Sequence, residues 1–187
     1  FDEFPTIRQN NGLSGFLKRT ESKYDVIGAG HASTSISSAF GLAEARRQLD
    51  ERYRVAAIIG DGSMTGGLAY EGLNNLGYHR TQLTVILNDN SLSISKSVGA
   101  LSKYLTRIST NPTYNKLRND IWNISGKIPN FSQKIRSFIK KAEGGMKAYL
   151  TPGSLFEELG LRYIGPIDGH NIKEMINVFN SVKKMNT

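Results

Sequence analysis

Two short apolar runs, residues 54–59 and 83–87, flank a stretch with the periodicity of a helix, and this arrangement restricts the fold more than any other feature. Each run is too short for a core helix and is rich in β-branched or aliphatic residues, so each reads as a buried strand. Between them, residues 67–76 place Ala69, Leu73 and Leu76 on one helical face, and Gly77 is a natural stop. Residues 24–29 read as a further strand ending in glycine. Residues 33–49 read as a helix with Ile36, Ala39, Phe40 and Ala43 on one side. Strands alternating with helices at these spacings predict an α/β fold with a parallel sheet and helices on both of its faces.

The alternation breaks at residues 91–150. This segment is polar, interrupted by Pro112, Pro129 and Gly144-Gly145, and basic: residues 96–150 carry eleven Lys/Arg and two acidic residues, Asp120 and Glu143. It reads as a partly helical insertion or mobile excursion within a single domain of residues 1–187, with Phe131, Ile135, Phe138, Ile139 and Ala142 as one helical stripe. The net charge of +8 therefore belongs to one segment, and the rest of the chain is nearly neutral. The segment has no nucleic-acid recognition motif and no aromatic stacking platform, so solvated helix faces and phosphate attraction are the readings carried forward. The α/β pattern resumes at residues 161–164. Asn171 then opens a last helix, with Glu174 as capping partner and Ile172, Met175, Ile176 and Phe179 as its buried face. With no cysteine, disulfides and thiolate metal sites are excluded, and no apolar run is long enough to span a membrane.

The chemistry concentrates where the strands end. Asp61 follows the first buried run inside Gly60-Asp61-Gly62-Ser63, and Asn90 follows the second inside Asn88-Asp89-Asn90, 29 residues later. Open α/β sheets bind ligands at the carboxyl ends of their strands. Magnesium takes hard oxygen donors, commonly one or two protein groups together with phosphate oxygens and water. Asp61 offers an anionic oxygen and Asn90 a neutral one, and the Gly62 and Ser63 amides stand at the turn into a helix, where phosphate oxygens bind. Gly60 and Gly62 are read as allowing a sharp bend and close approach to a ligand. A lone Gly-Asp-Gly is commonly only a turn; the Asn after a second apolar strand makes the pair resemble the thiamine diphosphate signature.

Longer stretches carry the resemblance further. They are Gly30-His31-Ala32-Ser33-Thr34-Ser35-Ile36-Ser37, then Gly60-Asp61-Gly62-Ser63-Met64-Thr65-Gly66-Gly67 with Tyr70-Glu71 and Asn74-Asn75. Leu87-Asn88-Asp89-Asn90-Ser91-Leu92-Ser93-Ile94-Ser95, Phe156-Glu157-Glu158-Leu159-Gly160 and Tyr163-Ile164-Gly165-Pro166-Ile167-Asp168-Gly169-His170 complete them. Together they resemble the 1-deoxy-D-xylulose-5-phosphate synthases over essentially the whole chain, most weakly at residues 105–148. The resemblance implies a transketolase-type thiamine diphosphate-binding fold. It implies Asp61, Asn90 and the Leu92 carbonyl as magnesium ligands, Gly62, Ser63 and Asn90 against the diphosphate, and Gly30, His31 and Ala32 lining the cofactor. His31 is the candidate catalytic residue, against a structural role at a helix start. His79 reads as exposed in a polar turn and His170 as structural.

The implied reaction joins pyruvate, with loss of carbon dioxide, to D-glyceraldehyde 3-phosphate in a homodimeric enzyme of the bacterial cytoplasm or the plastid. The family's upstream His-rich motif and the domain carrying its cofactor-activating glutamate are not in these residues, so the chain alone is expected to be inactive. Two other readings stay open: another transketolase-type enzyme, and a non-catalytic cofactor-binding or assembly module.

Overall fold

The structure is a computed structural model that describes residues 2–90, 100, 103, 104 and 153–185. The expected insertion at 91–150, its stripe from Phe131 to Ala142, and Leu92 lie outside the described residues. The chain divides into two compact units, Phe1–Ser93 and Ile94–Thr187.

The first unit contains helix α1 (Ser35–Gln48), strand β1 (Ala56–Gly60), helix α2 (Gly67–His79) and strand β2 (Thr84–Asn88), with a single 3-10 turn, Ser63–Thr65, between β1 and α2. The strands pair in parallel, Ala56 opposite Thr84 and Gly60 opposite Asn88. Both expected strands form, each shifted by a residue or two toward its carboxyl end. Along β1 burial alternates: Ala57 and Ile59 are enclosed, while Ala56 and Ile58 are exposed among the described residues. The expected stripes fill the core, with Ile36, Ala39 and Ala43 from α1 meeting Ala69, Leu73 and Leu76 from α2. Phe40 is half-buried, with its ring 5.6 Å from that of His79.

The two helices come into close contact at Gly72. A Cβ there would lie 2.9 Å from Ile36 Cγ2 and from Ser37 Oγ, and 3.1 Å from the Ser37 backbone nitrogen. The glycine therefore sets how near α2 comes to α1. At the opposite end of α1, buried Arg46 donates from Nη1 to the Tyr53 carbonyl (3.0 Å) and from Nη2 to the Gln82 carbonyl (2.9 Å). A buried guanidinium is tolerable only when so partnered. These bonds tie together the segments that lead into β1 and β2. Beside them Thr81 donates its hydroxyl to Glu44.

Three expectations in this unit are corrected. Residues 24–29 form no strand. Ser22 Oγ accepts the Tyr24 amide, Asp25 Oδ2 accepts the Lys18 amide and the Ser22 carbonyl accepts the Asp25 amide, so local polar groups take the backbone that a ladder would use. Tyr24 and Val26 are left exposed. Helix α2 does not stop at Gly77 but runs on to His79, and Arg80 in the left-handed region (φ 51°) ends it. The third concerns Gly62, whose φ of −61° and ψ of −39° are ordinary right-handed values, so the turn after Asp61 needs no glycine-only conformation.

The second unit contains a short helix α3 (Ser154–Glu158) and helix α4 (Ile172–Lys184). Gly160 (φ 82°) closes α3: its own amide donates to the Glu157 carbonyl and the Leu161 amide to that of Phe156, the paired bonds of a glycine C-cap. This reversal, with Tyr163 stacked on Phe156 at 5.7 Å, replaces the α/β element expected at 161–164. The cap of α4 forms as expected, the Asn171 side chain accepting the Glu174 amide at 3.1 Å. Its burial does not. Val178 is enclosed and Met175 half-buried, whereas Ile172, Ile176 and Phe179 are exposed, because no described element packs against their stripe.

Two helix glycines, one crowded and one open, should respond oppositely to an added methyl. Gly72→Ala should destabilise the fold by about 1–3 kcal/mol through overpacking, although alanine is the better helix former by about 1 kcal/mol. Gly41→Ala, with nothing within 4 Å of the added methyl among the described residues, should instead stabilise by about 0.5–1 kcal/mol. Urea unfolding of both variants checks the opposite signs. The Thr81 hydroxyl, followed by Arg47, holds the Glu44 carboxyl below its ordinary value of 4.5. A lowered folded pKa gives stabilisation that is complete above about pH 4.5 and lost as pH falls through the folded value. Thr81→Val should therefore make stability less steep with pH on the acid side, as read by thermal midpoints between about pH 3 and 6.

Candidate functional site at the strand ends

The β1–β2 ladder does not stop at Gly60. The Asp61 amide donates to the Asn88 carbonyl at 3.0 Å, one step beyond the paired residues. Asp61 is therefore held at the carboxyl end of β1 by β2 itself, and Asn90 lies two residues past the end of β2. Adjacent strands run about 4.8 Å apart. The parallel register thus brings the two sequence-predicted metal ligands to the same edge of the sheet.

A tight backbone turn follows. The Asp61 carbonyl accepts the Met64 amide (3.2 Å) and the Ser63 carbonyl accepts the Gly66 amide (3.3 Å). The Gly62 carbonyl accepts both the Thr65 amide (3.3 Å) and the Thr65 hydroxyl (2.7 Å). Met64 is fully buried beneath the turn. The chain then enters α2 at Gly67 with Gly66 as N-cap and no side-chain capping bond, so the helix starts where the turn that carries Ser63 ends. Such a helix start favours phosphate oxygens. In the first turn of α2 the Tyr70 hydroxyl is buried, and desolvation pushes its pKa above 10, leaving a neutral phenol at neutral pH.

The segment 30–33 joins the site from the other side. His31 and Ala32 are exposed just ahead of α1, and Ser33, at φ 70°, donates its hydroxyl to the Ser63 carbonyl at 2.7 Å. The structure thus brings together the segments of Gly30, His31 and Ala32, of Asp61, Gly62 and Ser63, and the carboxyl end of β2. Ser33 itself was not singled out by motif spacing. The periodicity placed Ser33 inside the helix expected at residues 33–49, whereas α1 begins at Ser35 and Ser33 is left-handed; a hydrogen bond between residues 30 positions apart leaves no periodic trace. His79 is the exposed last residue of α2, with its ring edge-on to Tyr78 at 5.0 Å. The His170 amide donates to Asp168 Oδ1 at 2.9 Å in a local turn ahead of α4 in the second unit.

The donors fit a magnesium diphosphate. Among the described residues no group of three or more His, Cys, Asp or Glu assembles, so the donors at the strand ends, Asp61 foremost, are few in carboxylates. That set leaves a divalent ion to be balanced by phosphate. A Cβ added at Gly30 or at Gly60 would meet nothing within 4 Å among the described residues, which leaves room for a ligand to approach the backbone.

A family model and several curated relatives agree on one family. A family model described as 1-deoxy-D-xylulose-5-phosphate synthase matches residues 1–187. The 1-deoxy-D-xylulose-5-phosphate synthase of Caldanaerobacter subterraneus subsp. tengcongensis is 52% identical over 184 residues, covering 98% of this chain and 30% of that protein. The proteins of the same name from Clostridium tetani and Syntrophus aciditrophicus are 50% and 52% identical, over 97% and 98% of this chain. The chain spans less than a third of the length of these relatives.

Proposed function

The chain belongs to the 1-deoxy-D-xylulose-5-phosphate synthase family, and on that premise we propose that the carboxyl ends of β1 and β2 hold magnesium and thiamine diphosphate for a transferase. The observation that carries the reading is the bond from the Asp61 amide to the Asn88 carbonyl, which fixes Asp61 beside the outgoing end of β2. In this reading the Asp61 carboxylate and the Asn90 side-chain oxygen hold the ion, with the Leu92 carbonyl as a third ligand. The amides of Gly62 and Ser63, in the turn that leads into α2, take the diphosphate oxygens. Gly30, His31 and Ala32 line the cofactor, and His31 serves as a catalytic side chain on the phosphate side.

The full activity is the joining of pyruvate, with loss of carbon dioxide, to D-glyceraldehyde 3-phosphate, giving 1-deoxy-D-xylulose 5-phosphate at the first step of non-mevalonate isoprenoid synthesis. Thiamine diphosphate, when bound, supplies the carbanion and the electron sink for this chemistry. This chain's own residues anchor and orient; the glutamate that activates the cofactor belongs, in this reading, to another domain of the same homodimeric protein. The 187 residues alone therefore bind without turning over. The working compartment is the bacterial cytoplasm or a plastid, with no part for nucleic acid or membrane. No helix among the described residues is long and apolar enough to cross a membrane.

Titration calorimetry of the full-length polypeptide with thiamine diphosphate and magnesium tests the metal assignment. Asp61→Ala should weaken binding by about 100-fold or more, a loss of about 2.7 kcal/mol, with the thermal midpoint nearly unchanged. Unchanged affinity would remove Asp61 from the ligand set. For the isolated chain, release of carbon dioxide from pyruvate is expected to be absent; its detection would overturn the division of labour between domains.

A further inference from the structure

We propose that Ser33 is a positioning residue for the diphosphate turn, acting through its hydroxyl and not through its backbone. The proposal rests on the cofactor reading of the strand ends given above. Ser33 stands at φ 70°, a region that costs a non-glycine residue free energy and that glycine adopts without strain. A position of this kind ordinarily favours glycine, so a serine there has to contribute something with its side chain. Here the contribution is visible: Ser33 Oγ donates to the Ser63 carbonyl at 2.7 Å across 30 residues of sequence.

The consequence runs through one peptide plane. The carbonyl of the Ser63–Met64 peptide is held by the Ser33 hydroxyl and the Gly66 amide. Its N–H, on Met64, is held by the Asp61 carbonyl. With both ends fixed, the peptide cannot rotate, and the residues before it, Asp61, Gly62 and Ser63, are presented in one arrangement. The Ser63 carbonyl, a negative dipole that would repel a phosphate oxygen, is committed to two donors. Packing supports the same lock: a Cβ on Gly66 would lie 2.3 Å from Ser33 Oγ and 2.9 Å from Ser33 Cβ, so Ser33 sits flush against the N-cap of α2. The Ser33 side chain thus ties the segment carrying Gly30, His31 and Ala32 to the turn carrying Asp61 and packs against the N-cap of α2. Preorganising three ligand-binding segments before the ligand arrives favours affinity, because less has to be ordered on binding.

Two variants of the full-length polypeptide separate the hydroxyl from the backbone. Ser33→Ala removes the hydroxyl and keeps the conformational strain; Ser33→Gly removes the hydroxyl and relieves the strain. Both should lower the affinity for thiamine diphosphate with magnesium by about threefold to tenfold by calorimetry, the range expected for one lost hydrogen bond. In turnover, both should raise the cofactor concentration needed for half-maximal rate by the same factor, with kcat at saturating cofactor within about twofold of the parent. The thermal midpoint of the Ser33→Gly protein should match or exceed that of Ser33→Ala, so a loss of affinity in the glycine variant is not a folding defect. Parental affinity in Ser33→Gly would overturn the proposal, as would a fall in kcat with unchanged cofactor dependence. Asp61→Ala is run beside them. If it binds as the parent does, the cofactor reading itself fails and the Ser33 proposal falls with it; if it loses binding while Ser33→Gly does not, only the Ser33 proposal is lost.

Discussion

The parallel pairing of β1 with β2 is the constraint on which the first unit depends. Its register, Ala56 to Thr84 and Gly60 to Asn88, decides which residues emerge together at the carboxyl edge. A slip of one residue would turn Ala57 and Ile59 away from the core and misalign Asp61 and Asn90. The crossover through α2 is what permits a parallel pair, because parallel strands cannot be joined by a tight turn. The close approach of α2 to α1 at Gly72 then encloses Leu73, Leu76 and Ile36.

The two ends of this small sheet are treated differently. At the amino end, polar groups are consumed by structure: Arg46 takes the Tyr53 and Gln82 carbonyls, and Glu44 takes the Thr81 hydroxyl. At the carboxyl end, the amides of Met64, Thr65 and Gly66 bond to the carbonyls of Asp61, Gly62 and Ser63, and the Ser33 hydroxyl bonds to the Ser63 carbonyl. The Asp61 carboxylate stays partly accessible, and space remains beside Gly30 and Gly60 among the described residues. An edge whose backbone is internally satisfied can present donors and a carboxylate to a ligand without having to reorganise.

Much of this was legible from the residues. The apolar runs located β1 and β2 to within two residues, and the helical stripes Ile36, Ala39, Ala43 and Ala69, Leu73, Leu76 became the core. Asn171 with Glu174 marked the start of α4. The misreadings share a cause, which is that local pattern does not report competition. At residues 24–29 an apolar stretch lost its backbone to Ser22 and Asp25. At Gly77 a glycine that could have ended α2 remained helical, and the left-handed residue came three positions later. On α4 the period placed Ile172, Ile176 and Phe179 on one face but could not say whether anything lies against it.

The sequence alone determined the kind of unit, two parallel strands with helices between and before them, because period and β-branching act over a few residues and survive in any context. It also determined the family through its motifs, and it placed Asp61 and Asn90 after successive strands. Only the tertiary structure decided how the site is held. The bond from the Asp61 amide to the Asn88 carbonyl, the contact of Gly66 with Ser33 and the bond from the Ser33 hydroxyl to the Ser63 carbonyl join residues that are 27 to 33 positions apart. Such bonds depend on where two chain segments meet in space, and that is set by the packing of α1 and α2 on the sheet, not by the residues at either end of the bond.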